Sequence, residues 1–249
     1  MKNHIIYIKE IKEIKEIAEI ELEKLYKKLL SKKIVRICIY ITLITFYPGI
    51  ILAIIIADIY GSERYNIRDN YISDLGSPHH TPAPYILNSI AISTAVLLIP
   101  IYLYLEEILV SGPNLSKRFL NKSISLKKIA YVGKICFIIG SIGMVGVGIF
   151  NEDFNPFYIH GILAFFLFVG FITGGLATGL IIILKKTIIP RVLGYIMIIN
   201  ATGIIFLYFF RFIPLFTPPL IEWCIFLSIV AWFLPITIIL LNYLDKMKR

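Results

Sequence analysis

The sequence predicts an all-α, polytopic membrane protein with six transmembrane helices and both termini in the cytoplasm. Of its 249 residues, 58% are hydrophobic and only 16% are charged, and the mean hydropathy is +0.82. Soluble domains average about 25% charged residues, so this composition excludes an ordinary soluble enzyme. A disordered chain would need the opposite balance of charge and hydrophobicity. The apolar residues form continuous runs rather than an alternating pattern, which favours helices over a barrel.

Six apolar segments are long enough to cross a membrane, which takes about 20 residues in a helix. They are Ile34–Tyr60, Tyr85–Leu105, Ile129–Phe150, Tyr158–Leu184, Val192–Ile213 and Leu220–Leu244. The sequence therefore predicts two parts: a charged cytoplasmic helix at residues 1–33 and a six-helix transmembrane domain at residues 34–249.

The basic residues are distributed unequally between the two sides of this arrangement. One side carries 22 of the 25 Lys and Arg residues, and the other side carries only Arg64, Arg68 and Arg211. Cytoplasmic loops carry the excess of Lys and Arg in membrane proteins. We therefore expect both termini on the cytoplasmic side of the cell membrane. This bias accounts for the net charge of +9 without a nucleic-acid partner.

The segment at residues 1–33 has the charge pattern of a helix. Ile recurs every three residues from Ile5 to Ile20, and pairs such as Lys9–Glu13 and Glu23–Lys27 have i,i+4 spacing, which stabilises helices. Two interpretations remain open. The helix is either a solvated or interfacial extension of the first span or a short helix for self-association.

Acids and histidines gather on the predicted outer face. That face carries three of the four histidines and the following acids: Asp58, Glu63, Asp69, Asp74, Glu152, Asp153 and Glu222. We therefore place the candidate site there. The predicted catalytic residues are Asp74, Glu152 and His160, and the predicted ligand-binding residues are Ser73, Asn88, Arg211 and Glu222.

Each candidate has a chemical reason and a structural alternative. Glu152 ends the third span and His160 lies one turn into the fourth, so the two suit acid–base chemistry. His160 could equally bond a neighbouring helix. Asp74 either faces a ligand or caps a turn, and Arg211 either binds a phosphate or forms a structural ion pair.

No metal site and no cofactor are predicted. His79 and His80 are adjacent, so in regular structure their side chains point apart, and both are expected to be exposed loop residues. The sequence also contains none of the usual nucleotide or zinc motifs.

Several motifs follow one another in a familiar order. Asn-Tyr-Ile-Ser-Asp-Leu-Gly at residues 70–76 is followed by Asn88, by Gly-Ile-Phe-Asn-Glu at residues 148–152 and by His160-Gly161. This order resembles the six-helix prokaryotic membrane proteins of domain-of-unknown-function family 998. The Ile-Ser-Asp-Leu-Gly element also resembles the DRAM/Frag-like membrane proteins, some of which are linked to lipid-anchor remodelling. The resemblance implies a six-helix membrane fold but no particular activity.

Three functions agree with these features. The first is the binding or processing of a lipid head group at the outer face, with membrane lipids as partners. The second is a non-catalytic membrane scaffold or sensor. The third is a small-solute transporter, which is disfavoured because the mid-membrane polar residues, such as Thr94 and Asn200, carry no charge. Whether the protein is an enzyme stays open at this stage.

Overall fold

The computed structural model describes residues 2–111, 120–154, 156–209 and 216–246, and within these ranges it is helical with no β-strand. The α-helices there are α1 (Lys2–Leu29), α2 (Lys32–Tyr60), α3 (Tyr85–Ser111), α4 (Leu120–Ile149), α5 (Ile159–Leu184), α6 (Arg191–Phe209) and α7 (Pro218–Lys246). Short 3-10 turns lie at Ser73–Gly76 and Pro156–Tyr158. The all-α prediction is therefore confirmed.

Five of the helices, α2, α3, α4, α5 and α7, are long and apolar enough to cross a membrane by length and composition. The apolar stretch of α6 is shorter, at Arg191–Ile204, and part of the predicted fifth span lies beyond the described residues. The fold is thus that of a multi-pass helical membrane protein. A sixth span stays a prediction.

Several helices extend past the predicted spans at one end of the bundle. Helix α2 begins at Lys32, where Ser31 Oγ accepts a hydrogen bond from Ile34 N at 3.4 Å. Helix α3 continues to Ser111, beyond the predicted end at Leu105. Hydropathy identifies only the part of a helix that lies in hydrocarbon, so it does not detect polar extensions of the helix.

Basic side chains tie these extended ends together. Arg36 on α2 donates to the Leu244 carbonyl of α7 at 2.8 Å and pairs with Asp245. Lys185 Nζ donates to the carbonyls of Leu109 and Val110 in the last turn of α3, at 2.7 and 2.8 Å. Cations stabilise the free carbonyls at helix C-termini. We call this the basic end of the bundle.

Glycines allow α4 and α5 to pack with their backbones nearly in contact. A Cβ placed on Gly170 would lie 2.5 Å from Gly140 N, and one on Gly143 would lie 2.5 Å from Leu167 N. Neither position leaves space for a side chain. Small residues at these positions therefore allow the two helices to pack closely.

The segment at residues 61–84 folds over the end opposite to the basic end. The indole N–H of Trp223 on α7 donates to the Asn70 carbonyl at 3.1 Å. Asn88 Nδ2 on α3 donates to the Gly76 carbonyl at 3.0 Å. These bonds hold the loop against two helices, and the side chains of the candidate site lie beneath and beside it.

Candidate functional site

Asp74 lies in the 3-10 turn at Ser73–Gly76 and is buried, with 4% of its surface exposed. Its Oδ2 accepts a hydrogen bond from Tyr71 N at 2.8 Å. The carboxylate therefore stabilises the turn, as one of the two sequence interpretations proposed. The turn also directs the carboxylate towards Glu152, at the end of α4.

Glu152 follows α4 and meets this turn. Ser73 Oγ donates to Glu152 Oε2 at 3.2 Å, and the Glu152 and Asp74 carboxyl groups are hydrogen-bond neighbours. Burial, followed by the adjacent Asp74, raises the pKa of Glu152 to about 7. Both effects disfavour the charged form of a carboxyl group.

The histidine that faces Glu152 from the loop is His80. Its Nε2 lies 3.6 Å from Glu152 Oε1, and its Nδ1 lies 3.1 Å from Glu63 Oε1. His79 instead faces Asp153, with Nε2 3.6 Å from Oδ1. The two histidines diverge as adjacency predicted. The expectation that both are exposed was wrong for His80, whose side chain is 29% exposed, against 80% for His79.

Glu222 comes to the same place from the start of α7. Its carboxylate faces the backbone N–H groups of Ile72 and Ser73, and both Asp74 and Glu152 are close enough to act on its charge. We name Asp74, His80, Glu152 and Glu222 the carboxylate cluster. Three of its four members were candidates from the sequence, and the fold brings them together.

The remaining candidates have other partners or lie elsewhere. His160 Nδ1 is 2.6 Å from the Phe150 carbonyl, so one ring nitrogen of the predicted acid bonds the backbone between α4 and α5. Asn88, a predicted ligand-binding residue, donates through Nδ2 to the Gly76 carbonyl. Arg211 lies outside the described residues.

His80, and Glu63 beside it, were not among the candidate site residues from the sequence. Both lie in the loop at residues 61–84, where no periodic pattern indicates which side chains turn inward. The sequence did show an excess of acids over bases on this face. A histidine in such surroundings is a favoured partner for a carboxylate, and this was the one signal that could have indicated His80.

A cavity of about 130 Å³ runs into the bundle from Glu222, the one member of the carboxylate cluster that lines it, and from the neighbouring Ser73. Its polar lining at the loop end comprises Ser73, Asn88, Asn151, His160 and Glu222. Deeper in, the lining is apolar apart from Thr94 and Tyr102. The cavity is therefore amphipathic along its length, with one polar end and one apolar end.

The depth of the cavity follows from the helices that line it. On α3 the lining extends from Asn88 to Tyr102, and on α7 from Glu222 to Phe233. At a rise of about 1.5 Å per residue, these stretches measure roughly 16 to 21 Å. Half of the hydrocarbon core of a bilayer measures about 15 Å. The cavity is thus about as deep as one membrane leaflet.

Comparison of the chain with protein-family models, curated proteins and solved structures gave no match. The resemblance to family 998 stays a prediction.

Proposed function

We propose that the protein binds a membrane lipid, with an acyl chain in the cavity and the polar head group beside the carboxylate cluster. The observation that carries this proposal is the amphipathic cavity, whose polar and apolar ends match the two parts of a lipid. Ligand sites are typically concave and mostly apolar, with a few convergent polar groups. The depth of roughly one leaflet favours a chain-bearing ligand over a small solute.

We further propose that all six predicted spans cross the cell membrane, with both termini in the cytoplasm and the carboxylate cluster at the outer face. Arg36 and Lys185 at the basic end support this orientation, because cytoplasmic ends carry the excess of basic residues. Catalytic roles for Asp74, Glu152 and His160 stay predictions, and lipid binding does not require them.

The test is identification of the lipid that co-purifies with the full chain in mild detergent. Ala164 on α5 lines the cavity, so Ala164→Phe should fill it and lower the bound lipid several-fold. Ile162, two positions earlier, is 52% exposed, and Ile162→Phe is the matched control that should retain the lipid. Mass spectrometry of the extracted lipids gives the amount and the head-group class.

Equal lipid in both variants, or none in the wild type, would contradict the proposal. The first result would place the lipid on the outer surface of the bundle. The second would favour a scaffold or sensor. Incubating the wild type and Glu152→Ala with the identified lipid then separates binding from processing, because only processing yields a changed lipid that Glu152→Ala fails to produce.

A further inference from the structure

We propose that Asp74, His80 and Glu152 bind one divalent cation of the Zn²⁺ or Mn²⁺ type. Each side chain offers one ligand atom, and these atoms all lie within 4.8 Å of one another. His80 Nε2 and Glu152 Oε1 are 3.6 Å apart. Around a tetrahedral Zn²⁺ with bonds of about 2.1 Å, neighbouring ligand atoms lie about 3.4 Å apart. Small side-chain movements would therefore close the three atoms around an ion.

The arrangement around His80 is that of a metal-binding histidine. Its Nε2 faces the other two ligands, while Nδ1 lies 3.1 Å from Glu63 Oε1. Glu63 Oε1 in turn accepts from Asn70 Nδ2 at 3.3 Å. A carboxylate on the far ring nitrogen fixes the tautomer and orientation that direct the other nitrogen to a metal.

The two carboxylate ligands are held from behind in the same way. Ser73 Oγ donates to Glu152 Oε2 at 3.2 Å, which leaves Oε1 facing His80. Tyr71 N donates to Asp74 Oδ2 at 2.8 Å, and a carboxylate so anchored has a second oxygen for an ion. Each of the three ligand side chains is thus oriented by a second group. A chance cluster of acids would have no need of such partners.

Charge balance gives a separate reason for a cation. Asp74, Glu152 and Glu222 lie close together in partly desolvated surroundings. Within the described ranges, neither Lys nor Arg forms an ion pair with any of them. Charges removed from water are costly unless they are paired or coordinate a metal. A divalent cation would compensate them.

The ligand set selects the class of cation. One imidazole with two carboxylates suits Zn²⁺ or Mn²⁺, whereas Ca²⁺ and Mg²⁺ prefer oxygen ligands alone. Three protein ligands leave at least one coordination position for water or another ligand. Cation binding goes beyond the proposed lipid site and does not depend on it.

The test uses the full chain in detergent, with its purification tag removed and its metals stripped by a chelator. Zn²⁺ and Mn²⁺, and separately Mg²⁺ and Ca²⁺, are added, and bound metal is measured by mass spectrometry after desalting. We expect one Zn²⁺ or Mn²⁺ per chain. His80→Ala and Glu152→Gln should lower the affinity about tenfold or more, and Glu63→Gln by about tenfold to a hundredfold. His79→Ala is the matched control and should bind normally.

Binding of much less than one ion per chain overturns the proposal. Equal losses in His79→Ala and His80→Ala overturn it too, as does tighter binding of Mg²⁺ or Ca²⁺. Ala164→Phe, which should lose the lipid, should keep the metal. Failure of the lipid proposal and failure of the cation proposal are therefore distinguishable.

Discussion

Trp223 donates its indole N–H to the carbonyl of Asn70 at 3.1 Å, within the buried interface between α7 and the loop at residues 61–84. The ring also packs edge-on against Tyr65 and Phe226. Because Glu222 precedes Trp223, this bond places the Glu222 carboxylate against the turn that carries Asp74. One hydrogen bond thus connects a helix start to the loop half of the site.

Replacing Trp223 by Phe should loosen the loop while keeping most of the ring packing. The Asn70 carbonyl would lose its buried donor, which costs about 1–3 kcal/mol. We expect a lower unfolding temperature in detergent and faster hydrogen exchange at residues 61–84. If the variant exchanged at the wild-type rate in that segment, the bond would not be holding the loop.

The glycine contact between α4 and α5 should tolerate no added carbon. Gly170→Ala would place a Cβ against the Gly140 backbone, and overpacking of this kind costs about 1–3 kcal/mol or more. Gly161, on the same helix, has open space around its Cβ position, so Gly161→Ala should be neutral or slightly stabilising. Thermal unfolding of the pair in one detergent compares them. Similar midpoints would mean that the backbones are not in contact at Gly170.

A second, larger substitution tests the same contact between α4 and α5. A Cβ on Gly174 would lie 2.6 Å from the ring of Phe137, which stacks on Tyr102 with centroids 4.0 Å apart. Gly174→Leu should therefore disturb the aromatic core and destabilise the fold by several kcal/mol. An unchanged melting temperature would contradict this placement of the ring.

Membrane orientation can be tested by thiol labelling of intact cells. His79 has an 80% exposed side chain at the loop end, and Lys186 is exposed at the basic end. An impermeant reagent should label His79→Cys and not Lys186→Cys, with the parent chain, which contains Cys38, Cys136 and Cys224, as background. Labelling of Lys186→Cys alone would invert the topology and move the carboxylate cluster to the cytoplasm.

Glu152 should make the metal-free protein less stable at higher pH. Because its folded pKa is raised to about 7 from 4.5, its contribution to stability is complete below about pH 4.5 and is lost as the pH rises through 7. The ionisable side chains that face it are Asp74, His80 and Glu222. Glu152→Gln stays neutral, so with chelator present it should melt higher than the wild type at pH 8, by roughly 3 °C per kcal/mol.

The control for this experiment is the same pair of proteins at pH 5, where both side chains are neutral in the folded protein and the midpoints should lie closer together. The Asp153 carboxylate faces Ser77 and His79 instead. Asp153→Asn should therefore not reproduce the pH-dependent difference. If the melting temperatures of Glu152→Gln and the wild type differ equally at pH 5 and pH 8, Glu152 is not buried beside Asp74.

The sequence by itself determined the helical membrane fold and the face on which the site lies. Hydropathy sums over consecutive residues, so the long apolar runs identified α2, α3, α4, α5 and α7 without any tertiary information. The gathering of Asp74, Glu152 and Glu222 on one face was also readable, because both ends of every helix are defined once the spans are known.

Only the tertiary structure decided which side chains meet. The sequence offered His160 as a partner either for Glu152 or for a neighbouring helix, and its Nδ1 lies 2.6 Å from the Phe150 carbonyl. The loop brings His80 to Glu152 Oε1 and places Glu63 at the other ring nitrogen. Such contacts depend on the path of an irregular loop, which is fixed by distant hydrogen bonds such as that of Trp223 with Asn70. Pairings of this kind leave no periodic trace in the chain, because they are selected by packing between segments rather than by local pattern.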